Sequence, residues 1–376
     1  MKILHVLNEL KPSGAETMLL SAAPRWLAQS TQHVLSTGVI AGSFAEPLQQ
    51  AGFQVIHLPF SKSPGFFRQF GELLRRESYD VVHLHTERAS LWYALSARIH
   101  MRRKVALVRT VHHLFRFDGL LRLRRKIGRQ VMRHLLGVRF LSNSPSGRKN
   151  EDQRYGMSNE LAPNWYDSIH FQPPSAAERI AAREMLGFDP QMVVFVSLGG
   201  NWSYKNYDHV VSALARIPED LHVLYVQVGV QGRGEPLERL AGELGMSHRL
   251  RCAGVVEDAA PYLHGADAYI MPSSEEGFGV AAVEAMASGL PALLSDRAAL
   301  CDFEQNVKGI FYFKPEVGEI AAAMEKLARV PYSQRRALGE QQAADVSQHY
   351  GLDMGPECYL RVWNEEAAKL QLQSTP

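Results

Sequence analysis

The sequence predicts an α/β chain built on two doubly wound parallel sheets. Three observations carry this. Short β-rich runs alternate with longer helical stretches, the pattern of successive βαβ units. The alternation falls into two series divided by a proline-bearing passage. A chain of 376 residues suits two domains better than one or three.

In the first series, strands are expected at residues 2–7, 33–40, 54–58, 80–85, 105–111 and 138–142. A helix follows the first strand from Gly14, with Pro24 expected to kink it. Further helices are expected at 66–77 and 87–100. The dividing passage, 160–178, carries Pro163, Pro173 and Pro174. The second series has expected strands at 192–198, 222–228, 249–254, 266–272 and 291–295, and helices at 178–186, 207–216, 235–244 and 317–329. The predicted organisation is an N-terminal domain over 1–170, a C-terminal domain over 171–355, and a terminal helix with a frayed tail over 356–376. In such sheets ligands bind beyond the carboxyl ends of the strands, so functional motifs should sit just after strands, in a cleft between the domains.

Composition narrows the function classes. Apolar residues make up 46% and charged residues 21%, ordinary for a globular protein. Residues 1–170 hold 24 Lys and Arg against 12 Asp and Glu, whereas the remainder holds 17 against 27. The basic half therefore suits an anionic partner: phosphate, lipid or nucleic acid. Three dispersed cysteines argue against a disulfide framework or a cysteine-rich metal site, and fit a reducing compartment. No run is long and apolar enough for a transmembrane helix.

Six segments invite a chemical reading. In NELKPSGAET (8–17), Gly14 opens a helix whose first amides would favour an anion, or is simply a tight turn. HLHTE (83–87) and RTVHH (109–113) end two strands. His112 there would bond a phosphate or a sugar hydroxyl, or pass a proton. Residues 115–140 hold eight basic side chains against one acidic. On a helical wheel Arg122, Lys126, Arg129 and Arg133 share one face and Leu120, Leu123, Ile127, Val131 and Leu135 the other. That face is either solvated or lies on an anionic membrane. Nucleic acid is disfavoured because no aromatics are interleaved for stacking. In SLGGNWSYKN (197–206), Lys205 is placed to reach a phosphate. Finally, in SEEGFGVAAVEAMASGLP (274–291) a helix starts near Gly279. Gly277 and Gly279 let amides approach a ligand, while Glu276 and Glu284 would grip two parts of it.

These residues resemble glycosyltransferase family 4, retaining sugar transferases of the GT-B fold. The family signature P-S-x-x-E-G-F-G-x-x-x-x-E-A-M-A-x-G-x-P is matched from Pro272 to Pro291. SGAE (13–16), DVVHLH (80–85), TVH (110–112) and APNWYDSIHF (162–171) match further family segments in order. The resemblance implies a GT-B fold of two Rossmann-like domains, with the C-terminal helix crossing back to the first. It implies transfer, with retention, from a nucleotide-diphosphate sugar to a glycan or lipid-linked acceptor. Glu284 would then accept from ribose hydroxyls and Glu276 from the donor sugar. Amides around Gly277, Phe278 and Gly279 would meet sugar and phosphate. Lys205 and the Gly14 amide would neutralise the leaving diphosphate, and His112 would lie near the reacting centre. No D-x-D motif is present, so neither metal nor cofactor is expected. The protein would be cytoplasmic, peripheral on the inner face of the membrane, and would not bind nucleic acid. The alternative is a non-catalytic GT-B module that binds nucleotide or a partner transferase. It is motivated by Gly200, which stands where the family usually has an arginine five residues before the lysine. Ser13 replaces a family glycine, as does Trp165.

Overall fold

The computed structural model describes residues 1–102, 104–232 and 236–374. It resolves into two compact units, Met1–Trp165 with Leu352–Pro376, and Tyr166–Gly351. The chain leaves the first unit and returns to it slightly earlier than the expected 170/171 and 355/356 boundaries.

The first unit runs β1 (Lys2–Leu7), α1 (Gly14–Leu27), β2 (Thr31–Ser36), α2 (Ala45–Gln50), β3 (Gln54–His57), α3 (Pro64–Glu77), β4 (Val81–Leu84), α4 (Ser90–Met101), β5 (Ala106–Val111), α5 (Gly119–Gln130), β6 (Val138–Ser142), α6 (Pro145–Tyr155) and β7 (Glu160–Leu161). A π-helical turn, Val131–Leu135, extends α5. The sheet order is β3-β2-β1-β4-β5-β6-β7 and every pairing is parallel. Strands covered on both faces are buried at every position, as VVHL and ALVRTV are, so that even His83, Arg109 and Thr110 lie inside.

β2 is shorter than the predicted 33–40. Beyond Ser36 the backbone turns so that Leu10 N donates to Ala41 O and Phe44 N to Leu10 O, with Gly42 at φ +99°. Val39 and Ile40 therefore face solvent. α1 continues through Pro24 to Leu27.

The second unit runs α7 (Ala176–Leu186), β8 (Val193–Leu198), α8 (Tyr207–Leu214), β9 (Val223–Val228), α9 (Leu237–Glu243), β10 (Leu250–Gly254), α10 (Ala260–Gly265), β11 (Ala268–Met271), α11 (Val280–Ala287), β12 (Ala292–Ser295), β13 (Phe311–Phe313), α12 (Val317–Ala328) and α13 (Tyr332–Tyr350). The expected start of α9 at residue 235 lies outside the described residues. The all-parallel order is β10-β9-β8-β11-β12-β13.

The last helix, α14 (Gly355–Ser374), belongs to the first unit. Tyr359 and Trp363 pack with Trp26 and Trp165 in one buried aromatic cluster. This explains Trp165. A Cβ at Gly355 would fall 2.2 Å from the Trp165 ring, so the indole occupies space that a glycine across from it leaves open. Among the described residues no helix is long and apolar enough to cross a membrane.

Candidate functional site

Each unit has one point where the strand order reverses, and the candidate residues gather there. In the second unit the chain lays β9 and β10 on one side of β8, then returns to place β11 on the other. The loops after β8 and β11 consequently emerge side by side at the carboxyl edge, where doubly wound sheets bind ligands. Hydrogen bonds stitch them together. Ser274 N and Oγ donate to Tyr204 O at 2.8 and 3.1 Å, and Asn206 Nδ2 donates to Pro272 O at 2.8 Å. Lys205 Nζ donates to Glu276 Oε1 at 2.6 Å, with the two side chains only 12% and 13% exposed. Two residues 71 apart in sequence thus form one largely desolvated ion pair.

The backbone before α11 requires a glycine. Gly279 lies at φ +97° directly before α11, and a Cβ there would come within 2.7 Å of Leu300 Cδ2. Phe278 is anchored in the core edge-on to Phe303 and Tyr350. Its ring holds the loop down, and its backbone is the part left to meet a ligand. On α11, Ala282, Val283, Ala285, Met286 and Ala287 are buried. Glu284 is the one ionisable residue of that helix. Burial pushes its carboxyl up to about 7; His170 opposes this and Asp167 adds to it. Its carboxylate has no hydrogen-bond partner among the described residues, so it retains full capacity to accept from a ligand.

Gly200 is accommodated by its neighbours. A Cβ there would lie 2.8 Å from Trp202 Nε1 and 2.8 Å from Val230 Cγ1. The space for a side chain at this position is taken by Trp202.

In the first unit the reversal falls between β1 and β4. A pocket of about 640 Å³ opens there, lined by residues after β1 (Asn8, Ser13, Glu16), after β4 (His85, Glu87), after β5 (His112, Phe115, Phe117) and on α5 (Leu121, Arg125). Gly14 begins α1 at its rim. Ser13 donates its hydroxyl to the Glu16 carboxylate, which burial pushes upward. The residue that departs from the family glycine therefore holds an acid at the pocket.

His112 stands at the end of β5 with Nε2 2.9 Å from His85 Nδ1, and His85 Nε2 lies 3.1 Å from His5 Nδ1. Burial pushes His112 down to about 3 and His5 to about 4, and holds His83 and His85 well below the usual range, so all four rings are neutral at physiological pH. His5, His83 and His85 bring one nitrogen each within 4.8 Å. His83, however, bonds Thr110 Oγ1 through Nε2 and accepts from Trp363 Nε1 through Nδ1, and the His5–His85 bond uses the nitrogens that face each other. These lone pairs are already engaged in protein contacts, so the trio does not fit a metal centre.

The basic face predicted on α5 needs correction. Arg129 is 1% exposed, not solvated. It donates to both oxygens of Glu151 at 2.7 and 3.0 Å and to both of Glu87 at 3.1 Å, while Arg109 also bonds Glu87. Arg122 and Arg133 donate to the carbonyls of Arg154 and Ser158. Of the four, only Lys126 is exposed with its ammonium unanchored among the described residues. The face expected to be packed is the outward one: Leu120, Leu123, Ile127 and Leu135 are 86, 53, 54 and 70% exposed.

Sequence reasoning singled out Gly14, His112, Lys205, Glu276, Gly277, Phe278, Gly279 and Glu284 as residues following strands; the sheet order puts the first two at the reversal of the first unit and the other six at that of the second. It missed His5, Glu16 and Glu87. For His5 the available signal was a polar side chain in the interior of a strand otherwise wholly apolar after Lys2.

Comparison with known proteins agrees with this architecture. The model of "Glycosyltransferase Family 4" matches residues 9–168, and that of "Glycosyl transferases group 1" matches 178–345. A D-inositol 3-phosphate glycosyltransferase of Mycobacterium sp. (strain KMS) is 34% identical over 174 residues, covering 44% of this chain and only 39% of that relative. An Escherichia coli UDP-Gal:alpha-D-GlcNAc-diphosphoundecaprenol alpha-1,3-galactosyltransferase is 25% identical over 273 residues, covering 69% and 68%. The structure of HepE from Anabaena, in complex with UDP and glucose, superposes with a TM-score of 0.84 at 20% identity over 97% of this chain and 100% of that one. With two family models spanning both units in tandem, the chain belongs to the family 4, group 1 glycosyltransferases.

Proposed function

We propose that the protein moves a sugar, with retention, from a nucleotide-diphosphate sugar to a glycan or lipid-linked acceptor, in the synthesis of a polysaccharide or cell-surface glycan. The observation that carries this reading is the stitched pair of loops after β8 and β11, which places Lys205, Glu276 and the Gly277–Gly279 amides beside the N-terminus of α11. There the amides and Lys205 would take the diphosphate, Glu276 the sugar hydroxyls and Glu284 the ribose diol. Lys205 would exchange Glu276 for phosphate oxygens, freeing the carboxylate for the sugar. Charge building on the departing diphosphate would be met by fixed donors, the usual source of the largest rate term. The leaving phosphate would help deprotonate the acceptor, and no metal or cofactor would be required. HepE was crystallised with UDP and glucose, and the E. coli relative is named for a diphosphoundecaprenol acceptor, which fits this donor and acceptor chemistry.

The outward stripe of Leu120, Leu123, Ile127 and Leu135, with Arg124 and Lys126 exposed beside it, supports placement on the anionic inner face of the cell membrane, within reach of a lipid-linked acceptor. The protein would be cytoplasmic and would not bind nucleic acid.

The test is a panel of nucleotide sugars. Transfer or hydrolysis of at least one is expected, abolished by Glu276→Ala with the fold intact. Neither binding nor turnover across the panel would end the proposal. Gly200 favours one competing reading, a non-catalytic module. Under it, nucleotide would bind without turnover, and Gly200→Arg would restore none.

A further inference from the structure

The histidine chain of the first unit has a direction, and the direction can be worked out from one serine. Ser30 Oγ has a single proton, which it donates to Trp26 O at 2.7 Å. Toward Gln32, 2.7 Å away, Ser30 can therefore only accept, which places the amide nitrogen of Gln32 there and turns Oε1 toward His5. Oε1 lies 2.8 Å from His5 Nε2, and a carbonyl oxygen only accepts, so Nε2 of His5 carries its proton. Nδ1 of the neutral His5 ring is then a lone pair, and the His85 Nε2 that faces it at 3.1 Å must carry hydrogen. The same step repeats at 2.9 Å between His85 Nδ1 and His112 Nε2. The series ends on His112 Nδ1, which is buried and has no partner.

We infer that Ser30, Gln32, His5 and His85 are positioning residues that lock His112 in its Nε2–H tautomer, leaving Nδ1 as an acceptor reserved for a ligand hydroxyl. His112 lines the pocket at the β1/β4 reversal. A neutral ring whose one free nitrogen is a lone pair cannot donate to a phosphate oxygen. Of the ligand groups the sequence left open for His112, the geometry selects the hydroxyl. That the hydroxyl belongs to a sugar rests on the function proposed above, whereas the tautomer does not.

The experiment is nitrogen-15 NMR of the full chain labelled at histidine. Resonances are assigned by single His→Gln replacements, and tautomers are read from ring nitrogen shifts and couplings. His112 is expected as a single Nε2–H form near neutral pH. Gln32→Leu, which removes the terminal acceptor three links away, is expected to convert His112 to a mixture of tautomers. Gln32→Glu, which keeps an oxygen acceptor, is expected to preserve the single form. A residue that only packs would leave His112 unmoved in every variant. Should Gln32→Leu not fold, Ser30→Ala, which frees the amide to rotate, makes the same prediction. An Nδ1–H or charged His112 in the native chain, or a tautomer indifferent to these replacements, overturns the inference. None of these readouts uses a donor, so the absence of transferase activity would leave this result standing and count only against the proposed function.

Discussion

Glu284 makes stability depend on pH in a direction opposite to that of a salt-bridged carboxylate. Its carboxyl titrates at about 7 in the folded chain against an ordinary 4.5. Below pH 4.5 both states hold the proton and the residue contributes no pH dependence. Between 4.5 and 7 the unfolded chain releases the proton while the folded chain keeps it, so the folded state binds more protons and stability falls as pH rises. Above 7 the loss is complete. At ~1.36 kcal/mol per pH unit the window amounts to about 3 kcal/mol, a ceiling because the side chain retains partial exposure. Glu284→Gln removes the ionisation and keeps the shape. The comparison is thermal melting of both proteins from pH 4.5 to 8. The native chain should lose ground to the variant across the window, by roughly 2–4 °C per kcal/mol for a unit of this size. Under the proposed function ribose hydroxyls would donate to the ionised carboxylate, so a nucleoside diphosphate should also protect the native chain more at pH 8 than at pH 6, beyond any trend in the variant. A difference in melting temperature that stays flat with pH would refute the reasoning.

Other substitutions test separate parts. Arg129→Leu leaves the wholly buried Glu151 unpaired and should cost about 3–5 kcal/mol by denaturant titration, while Arg129→Leu with Glu151→Leu should recover most of it. Gly279→Ala combines a left-handed backbone with a 2.7 Å approach to Leu300, and should destabilise by about 1–3 kcal/mol and weaken nucleotide-sugar binding in a thermal-shift assay. Replacing Leu120, Leu123 and Ile127 by serine should leave melting unchanged and abolish co-sedimentation with anionic liposomes. Neutralising Arg124 and Lys126 should weaken that sedimentation and reduce its salt dependence.

The sheets were legible because their strands are largely apolar runs set at βαβ spacing, and the candidate residues of the second unit because glycine, glutamate and lysine cluster just after strands. What escaped was whatever depends on partners distant in sequence. α13 was not anticipated, since its inward positions are filled by Arg335, Gly339, Gln342 and Ala343 as well as Val346 and Tyr350. The spacing is helical but the chemistry is not apolar, and the polar residues take partners from elsewhere in the chain, as when Gln342 Oε1 accepts from Ala292 N and Arg335 donates to the carbonyls of Ala328 and Val330. β13 and β7 are only three and two residues long, too short for periodicity to register. Lys205 and Glu276 were each singled out, yet their pairing requires knowing that β8 and β11 are neighbours. The histidine chain is similar: His5, His85 and His112 come from three adjacent strands, β1, β4 and β5, and only the sheet order brings them together.

α5 shows why a helical wheel cannot decide which face turns inward. The wheel divides α5 correctly into a basic and an apolar side, and the usual inference buries the apolar one. Burial of a guanidinium is unfavourable only while it is unpaired. Glu87, beyond β4, and Glu151, on α6, supply the carboxylates, and Tyr155 stacks on Arg129 at 4.2 Å. Neither acid falls within reach along the helix itself, so no local pattern announces them. Once Arg129 is committed inward, the geometry of α5 sends Leu120, Leu123 and Ile127 outward together. A row of large apolar side chains on the surface is then costly in water unless something apolar covers it. The ionic cluster below and the apolar stripe above are two consequences of one orientation. Evolutionary exchange of Glu87 or Glu151 for a neutral residue would therefore be expected to rotate the helix and remove the stripe, a coupling that melting of Glu87→Gln alongside liposome binding would expose.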